Sequence, residues 1–410
     1  MWQGRIETTA SLTKGDQRVP TTYSGSYDLT EEQRLFRQSV HDFAEREIVP
    51  VARQYDEEER FPRENVAKMA KLGLMGLLVP EEYGGSGGST LDYVLAMEEI
   101  AWACAAHSVI VSVNNSLVCD PILRFGTEEQ KREYLPRLAS AEWLGAYCLS
   151  EPGSGSDASN MSTVAVPEGD HWVLNGIKSW ITNGGEAQLY VVYAISNPSV
   201  PKSKGATAFL IPADTPGLRA GAKEKKLGIR ASSTTQIFLE DCRVPRSAVL
   251  GEPDGGFKIA MATLDGGRIG IGAQALGIAQ RSVDEAVAYA AQRQAFGQAI
   301  AEFQGLQWRM ADMQVRTEAS RLLVYRAARM RDAGQPYGPE ASMAKLFASE
   351  TAMFASHAAV QIHGGNGFSR EYAVEKLFRD AKITEIYEGT SEIQRLVIWR
   401  ELAKRVKDEG

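Results

Sequence analysis

The spacing of apolar residues divides the chain into a helical part, a β part and a second helical part. Near the N-terminus, Thr30 followed by Gln33 predicts a capping box, and apolar residues then recur at helical intervals. The same spacing predicts further helices over 64–72, 91–106 and 128–138. The first part of the chain is therefore expected to be helical.

From about residue 147 to residue 251 the pattern changes to short runs rich in β-branched and aromatic residues. The dipeptides Asn175-Gly176 and Asn183-Gly184 and several prolines separate these runs, which is typical of short antiparallel strands with tight turns. The predicted strands cover 171–181, 189–195, 206–212 and 234–239. We expect a separate β domain here.

After Gly256 the helical spacing returns in long stretches. The predicted helices cover 261–291, 303–333, 339–363 and 391–407. Four long helices joined by short loops predict an antiparallel bundle. Ser391 followed by Gln394 predicts a second capping box at the start of the last helix.

The order of these parts predicts an α+β multidomain fold. Helices and strands do not alternate and no sequence repeat is present, which disfavours a doubly wound dinucleotide-binding fold. The expected units are a loosely ordered N-terminal arm (1–26), an N-terminal α-helical domain (27–146), a middle antiparallel β domain (147–251) and a C-terminal four-helix bundle (252–410).

Composition narrows the class of protein. The 410 residues are 44% hydrophobic and 24% charged, as in ordinary globular proteins. With 45 basic and 52 acidic residues the net charge is −7, so the chain has no general attraction to nucleic acid or anionic lipid. No apolar stretch reaches 18 residues, so no membrane span is expected. Because no targeting signal is recognisable, we expect a cytoplasmic location, and a mitochondrial matrix origin stays open.

The cysteines and histidines do not predict a disulfide framework or a metal site. The four cysteines are far apart without a CxxC pair, and we expect buried, reduced thiols. The five histidines show neither an HExxH motif nor clustering with cysteines, so a dedicated zinc site is disfavoured.

Several segments are candidates for ligand binding, and each has a plain structural alternative. The glycine–serine loop over 147–157 offers backbone N–H groups to an anion or a polar ring edge, or is a simple interdomain loop. Trp180 and Thr182, after a predicted strand, favour a heterocycle at this place. Arg293 can pair with a phosphate and Phe296 can stack on a nucleobase, or the two residues merely complete a helix end.

Two further segments leave similar choices. The glycines after Gln361 allow close approach of a phosphate or a partner chain, or form an elaborate helix cap. Glu388 precedes a helix start, where most glutamates are solvated. A carboxylate held there in an apolar cleft would have a raised pKa and could act as a general base. By contrast, Gly270-Ile-Gly272-Ala-Gln-Ala275 fits GxGxx[GA] only within a helical pattern, which indicates helix packing.

Together these segments resemble the acyl-CoA dehydrogenase family over residues of about 27–407. The segment 148–157 is similar to the first signature of the family, with Asn160 shortly after it as a departure, and the segment 361–380 is similar to the second. The stretches 263–270 and 385–395 most resemble the short-chain (butyryl-CoA) branch.

The resemblance implies FAD-dependent α,β-dehydrogenation of a short- to medium-chain acyl-CoA thioester to the trans-2-enoyl-CoA, as in fatty-acid β-oxidation. It implies that Glu388 removes the α-proton while a hydride passes to flavin N5. Electrons would then pass to an electron-transfer flavoprotein, and the chain would assemble as a homotetramer, a dimer of dimers. The alternatives are an acyl-CoA oxidase and a non-catalytic flavin- or CoA-binding relative.

The resemblance also assigns further site residues. Those expected at FAD are Tyr147, Cys148, Leu149, Ser150, Gly155, Ser156, Trp180, Ile181, Thr182, Thr390, Ser391 and Glu392, with Arg293, Phe296 and Gln304 at its pyrophosphate and adenine end. Gln361, Ile362, Gly364 and Gly365 would reach that end from a neighbouring subunit. Substrate contacts are expected from Ser156, Asp265, Arg268 and Gly389.

Three features of the sequence refine this expectation. Members of the isovaleryl type place the base near residue 267, where this chain has Gly267, so the base is expected at Glu388. The stretch 108–113 contains no cation, which disfavours a dicarboxylate substrate. Gly266 is smaller than the residue usual in short-chain members, so longer or branched acyl groups are expected to fit.

Overall fold

The computed structural model describes residues 29–408, so the predicted arm over 1–26 lies outside the described residues. The helices of the first part are α1 (Glu31–Phe43), α2 (Val49–Glu57), α3 (Arg63–Lys71), α4 (Thr90–Ala103), α5 (Ala105–Ser112), α6 (Asp120–Phe125) and α7 (Glu128–Ala139). Thr30 and Gln33 form the predicted capping box of α1. Capping boxes also begin α4 and α7.

The helix predicted over 91–106 is wrong in its length. It ends at Ala103, because Cys104 adopts an extended conformation (φ −165°, ψ 116°). A second helical run then follows, in which a π-helical turn (Val113–Cys119) joins α5 to α6. Nearly all of this run is buried, so its apolar residues show no face and the sequence gives no periodic signal. The helix α2 also escaped prediction.

The middle part is a mainly antiparallel sheet. Its strands are β1 (Gly145–Cys148), β2 (Val164–Glu168), β3 (His171–Thr182), β4 (Leu189–Ile195), β5 (Ala206–Pro212), β6 (Leu218–Lys223), β7 (Thr234–Pro245) and β8 (Val249–Leu250). The strand order is β6-β7-β3-β2-β4-β5-β8, with β1 placed against β4. The prediction of antiparallel strands is confirmed except for β4, which pairs in parallel with β1 and at one position with β2.

The last part is the predicted helical bundle. It contains α8 (Gly256–Gln292), α9 (Gln304–Asp332), α10 (Gly338–His363), α11 (Ala373–Ala381), which was not predicted, and α12 (Ser391–Asp408). A two-stranded hairpin, β9 (Gln294–Ala295) and β10 (Gln298–Ala299), joins α8 to α9. The glycines 270 and 272 lie inside α8, as expected of packing residues. Within residues 29–408 no helix is long and apolar enough to cross a bilayer.

Small residues bring α8 and α10 close together. Alanines recur every three or four positions on the buried face of α10, at positions 341, 344, 348, 352 and 355. A Cβ placed on Gly272 of α8 would lie 3.6 Å from the carbonyl carbon of Ala344. This close contact fixes the distance between the two helices that carry the candidate site.

The predicted capping box at Ser391 is not formed. The Thr390 hydroxyl accepts the bond from the N–H of Ile393 (3.4 Å), so the cap lies one residue earlier. The Ser391 hydroxyl is buried without a hydrogen-bond partner among the described residues. Gln394 turns back to donate to the carbonyl of Gly389 (2.8 Å).

A buried ionic cluster ties α1, α4 and α9 together. Glu98 of α4, only 1% exposed, accepts hydrogen bonds from Arg37 (3.0 Å), Arg321 (2.9 Å) and the hydroxyl of Tyr325 (2.8 Å). Removing one partner of a buried charge cluster leaves the other charges unpaired in a medium that solvates them poorly.

We therefore expect Glu98→Gln to lower the free energy of unfolding by about 3–5 kcal/mol. Denaturant unfolding measures this change. Glu240→Gln serves as the control, because Glu240 and Arg219 form an ion pair whose side chains are more than half exposed. The control is expected to change stability by less than about 1 kcal/mol. Equal effects of the two substitutions would contradict the importance of the cluster.

Candidate active site

Glu388 lies in the short loop between α11 and α12, in an unusual backbone conformation. Its φ is +51° and that of Gly389 is +93°, so two consecutive residues are left-handed. This conformation costs a non-glycine residue roughly 1–2 kcal/mol and persists only where the surroundings enforce it. Lys345 donates to the Gly389 carbonyl (2.7 Å), and Gln394 donates to the carbonyls of both loop residues.

The carboxylate of Glu388 points into the protein against α8. Its Oε2 atom is buried and has no hydrogen-bond partner among the described residues. A Cβ placed on Gly267 would overlap this oxygen, so only glycine at that position leaves the space. Leu117 lies against the same position from the π-helical turn. The missing side chain at Gly267 therefore creates the room that the carboxylate occupies.

Burial sets the electrostatics of this group. Loss of solvent raises the pKa of Glu388 to about 7, and the positive charges of Lys345 and Arg268 oppose that rise. A carboxylic acid with such a pKa is half ionised near neutral pH. Glu388 has the properties expected of a general base.

Asp265 and Arg268 lie within one turn of Gly267 on α8. The guanidinium of Arg268 donates to the Asp265 carboxylate (2.6 Å), and its Nε is buried with no partner among the described residues. Burial raises the pKa of Asp265. The structure thus brings Arg268 near enough for its charge to act on Glu388, and Asp265 is joined to the site through Arg268.

The residues expected at the flavin ring lie together at one edge of the sheet. The Ser179 N–H donates to the Ser150 carbonyl (2.9 Å), which places the end of β1 beside the end of β3. Trp180 is 66% exposed and left-handed (φ +60°), so its indole is open to a ligand. Thr182, two residues later, is half-buried. The remaining members differ in exposure: Tyr147 is half-buried, Cys148, Leu149 and Ile181 are buried, and Gly155 and Ser156 are exposed.

A buried ion pair fixes the loop after β1. Lys178 of β3 donates to Glu151 (2.7 Å) and to the carbonyl of Leu149 (3.3 Å), and both charged side chains are almost fully buried. Glu151 also accepts from the N–H of Thr163 (3.0 Å). The glycines 153 and 155 further along the loop have open space around them. The loop is therefore anchored at its base and accessible at its tip.

A second group of predicted site residues lies at the opposite end of the bundle. Gly267 and Arg293 are 26 residues apart on and just beyond α8, or roughly 39 Å at 1.5 Å per residue. Phe296 is 96% exposed. Tyr289 stacks on His363 (4.0 Å between ring centroids) and thereby joins this end of α8 to the end of α10. The other members of the group, Gln304, Gln361, Gly364 and Gly365, are exposed, and Ile362 is buried.

Two residues important for the geometry were missed by the sequence analysis. Lys345 and Gln394 hold the loop that carries Glu388. Gln394 was predicted only as part of a capping box, and Lys345 belongs to no motif of the sequence analysis. A signal existed for Lys345, because it lies among alanines on a buried helix face, where an unpaired charge is costly. Thr390 and Glu392 lie in and beyond the loop as expected, and Glu392 is exposed.

Comparison with family models covers the three parts of the chain. The model described as acyl-CoA dehydrogenase, N-terminal domain, matches residues 30–142. The middle-domain model of the same family matches residues 146–242, and the C-terminal-domain model matches residues 254–403.

Individual relatives agree with these matches. The chain is 53% identical over 382 residues to the mitochondrial short-chain specific acyl-CoA dehydrogenase of Mus musculus, covering 93% of this chain and 92% of the relative. Butyryl-CoA dehydrogenase from Megasphaera elsdenii is similar in structure, with a TM-score of 0.89, 44% identity and coverage of 92% and 99%. A chain in the structure of an electron transferring flavoprotein of Acidaminococcus fermentans gives a TM-score of 0.90, 45% identity and coverage of 92% and 99%.

Proposed function

This chain belongs to the acyl-CoA dehydrogenase family, and we propose that it converts short-chain acyl-CoA thioesters to trans-2-enoyl-CoA products with Glu388 as the base. The enzyme is an FAD-dependent acyl-CoA dehydrogenase. The observation that carries the proposed mechanism is the buried Oε2 atom of Glu388, which has no hydrogen-bond partner within residues 29–408; the charge of this group reaches Tyr147, a residue expected at the flavin.

The electrostatics of Glu388 suit removal of a weakly acidic proton. A proton on the carbon next to a thioester leaves only if the base is strong, and a raised pKa makes the carboxylate a stronger base. The N–H of Glu388 donates to no acceptor within residues 29–408. We propose that it stabilises negative charge on the thioester oxygen as the proton leaves. Gly389, Arg268 and Asp265 would then position the thioester, and Ser156 the rest of the substrate.

The residues around the sheet edge fit the FAD ring. They offer an open indole at Trp180 and the half-buried side chains of Ser150 and Thr182. The bundle adds the buried Ser391 hydroxyl, which has no partner among the described residues. Bound FAD supplies the acceptor for the hydride that leaves the β-carbon. The anchored loop over 147–156 and Thr390 to Glu392 would keep the ring in place, as the resemblance implied.

Hydrogen bonds beyond the base limit the room for an acyl chain. Gln274 lies seven residues after Gly267 on α8, on the same face and roughly 10 Å away. Its amide donates to the Ala105 carbonyl (2.7 Å) and to Ser108 (2.9 Å), and its Oε1 accepts from the hydroxyl of Tyr387. The Ala105 carbonyl, the Ser108 hydroxyl and the Tyr387 hydroxyl are thus all hydrogen-bonded to Gln274. A long acyl chain entering this space would have to break these buried hydrogen bonds.

The expectation that Gly266 admits longer or branched acyl groups is not supported. A Cβ at this position would lie 2.8 Å from Nη1 of Arg331, whose guanidinium therefore occupies the space. Arg331 is held there by an ion pair with Asp120 (2.5 Å). A short, unbranched acyl group fits this environment best.

We further propose that neighbouring subunits complete each cofactor site in a homotetramer. The group formed by Arg293, Phe296, Gln304 and the segment 361–365 lies too far from Glu388 to serve the same flavin ring. Exposed apolar residues at positions 308, 315 and 322 of α9 recur every seven residues, which is typical of a helix–helix seam. The likeness to a chain from the A. fermentans structure supports an electron-transfer flavoprotein as the acceptor.

We expect Glu388→Gln to slow anaerobic reduction of the bound flavin by butyryl-CoA by about 10²–10⁴-fold, because the base is lost. Stopped-flow absorbance of the flavin measures this rate. In the unchanged enzyme the rate should fall about tenfold per pH unit below pH 7, because protonation of Glu388 removes the base.

Glu401→Gln is the matched control for this substitution, since Glu401 lies on α12 in an ion pair with the exposed Lys404. It should leave the rate unchanged. Reduction of the Glu388→Gln enzyme at the normal rate would show that another group removes the proton.

Gly267→Ala places a methyl group where Oε2 of Glu388 lies. We expect the displaced carboxylate to lower kcat by about 10²-fold, as misplacement by about 1 Å does. Gly305→Ala is the control, because Gly305 is exposed near the start of α9 and an added Cβ there would meet no atom within 4 Å. Steady-state kinetics with a dye acceptor compare the two, and equal losses would refute a specific effect on the base.

Gln274→Ala removes the group that closes the space beyond the base. We expect the ratio of kcat/KM for octanoyl-CoA to that for butyryl-CoA to rise about tenfold or more, because one buried obstacle and its hydrogen bonds disappear. A series of straight-chain acyl-CoA substrates measures this preference. An unchanged preference would place the end of the acyl cavity elsewhere.

A further inference from the structure

Lys345 is a buried lysine next to the loop that carries Glu388, and it has no role in the reaction proposed above. It lies on α10 between Ala344 and Ala348 and is fully buried. Its ammonium donates to the carbonyl of Gly389 (2.7 Å), the residue directly after the base. Gln394 of α12 donates to the same oxygen (2.8 Å). Two donors from two different helices therefore converge on one carbonyl.

This carbonyl belongs to the turn that directs the base. Glu388 and Gly389 both have positive φ, and a glutamate adopts that conformation only under constraint. A hydrogen bond from a charged donor in a buried place is among the stronger constraints available to a loop. Loss of the ammonium would leave Gln394 as the remaining side-chain donor to the loop carbonyls among the described residues.

The charge of Lys345 acts on Glu388 as well. Its hydrogen bond goes to a carbonyl rather than to a carboxylate, and the carboxylate that interacts with it most strongly is that of Glu388. Burial lowers the pKa of Lys345 to about 8, so the group is still mostly charged at neutral pH. Arg268, the other cation near the base, is already paired with Asp265 (2.6 Å).

We propose that Lys345 is the positioning residue of the base: its ammonium holds the left-handed turn in place and keeps the Glu388 carboxylate ionised in the closed site. The inference rests on the proposed role of Glu388. Two effects follow from one side chain, and they can be separated. The hydrogen bond determines where the carboxylate lies, and the charge determines the pH at which it becomes active.

Other groups near the pair do not replace this charge. The titratable and charged groups facing Glu388 or Lys345 are Tyr93 of α4, Tyr147 of β1, Arg268 of α8, Tyr387 of the base loop, Glu385 before it and Glu392 of α12. Burial raises the pKa of each of the three tyrosines, so they are neutral in the working range. The two glutamates favour charge on Lys345 and do not oppose its effect on Glu388.

The test compares three substitutions in the full-length, FAD-loaded enzyme. Lys345→Met removes both the donor and the charge, Lys345→Gln keeps a donor without charge, and Lys345→Arg keeps both. The pH dependence of kcat/KM with butyryl-CoA and of anaerobic flavin reduction is measured for each. Flavin content and the thermal midpoint report whether the variant is folded.

For Lys345→Met we expect the midpoint of the pH profile to move upward by about one pH unit or more, because burial then raises the pKa of Glu388 without the opposing charge of Lys345. At pH 6 this makes the reaction about tenfold slower, with the loss in kcat rather than in KM. Lys345→Gln should show the same midpoint shift with a higher plateau rate, and Lys345→Arg should restore the midpoint. A purely structural role would change the thermal midpoint and leave the pH profile where it was.

Lys404→Met is the matched control, since Lys404 is exposed on α12 and forms an ion pair with Glu401, which is not among the groups that face Lys345 or Glu388. It should leave the pH profile unchanged. An unshifted midpoint in a folded Lys345→Met enzyme overturns the inference, and if that variant does not fold, identical midpoints for the Gln and Arg variants overturn it. Glu388→Gln is run in parallel: if it stays active the proposed function fails, whereas an inactive Glu388→Gln with unshifted Lys345 variants rejects the role of Lys345 alone.

Discussion

The buried Oε2 atom of Glu388, which has no hydrogen-bond partner within residues 29–408, is the constraint around which the candidate active site is built. Burial of an ionised group is costly unless something compensates, and here the compensation is distributed over three helices. The glycine at position 267 of α8 supplies room, Lys345 of α10 supplies charge, and Gln394 of α12 fixes the loop. The close packing of α8 on α10 through small residues keeps these contributions in register. A change in the distance between the two helices would disturb the base before it disturbed the fold.

The two groups of site residues explain why the bundle is long. The base, the substrate residues and the sheet edge lie at one end of α8, while Arg293 and Phe296 lie past its other end. In the proposed homotetramer a single chain would carry half of one site and half of another, serving its own flavin ring and the distant part of a neighbour's cofactor. In such an arrangement the rigid helix acts as a spacer, and assembly rather than loop closure completes the binding site. The stacked Tyr289 and His363 strengthen the far end, where the ends of two helices must present exposed residues without fraying.

Much of the fold could be predicted because its strands and its long helices differ in residue type, in length and in the turn residues that bound them. The strands β3, β4 and β5 stand out in the sequence as short runs of β-branched and aromatic residues, and the bundle as long helical stretches. Their predicted limits fall within five residues of the observed ones. The prediction failed at Cys104, where a helix that is buried on almost every side ends without a change in the spacing of its apolar residues. Ser391 illustrates a different failure. The capping pattern was present, but the preceding left-handed turn moved the cap to Thr390 and released Gln394 to hold the base loop.

The candidate site likewise contains residues that the sequence predicts and residues that it does not. Glu388 could be singled out from the sequence, because glycine at position 267 leaves one of the two family positions for a base. Lys345 could not, since its importance depends on which carbonyl its ammonium reaches across two helices. The prediction at Gly266 is not supported for a related reason. The sequence shows that a side chain is missing there, but not that the guanidinium of Arg331 fills the space. The motif residues thus predict the type of reaction. The pKa of Glu388 and the room for an acyl chain depend on buried neighbours, which only the structure shows. A strained turn and a raised pKa both work against stability at this place. The proposed role of Glu388 accounts for both, because a relaxed, solvated glutamate would be a weaker base and would lie farther from the substrate whose proton it removes.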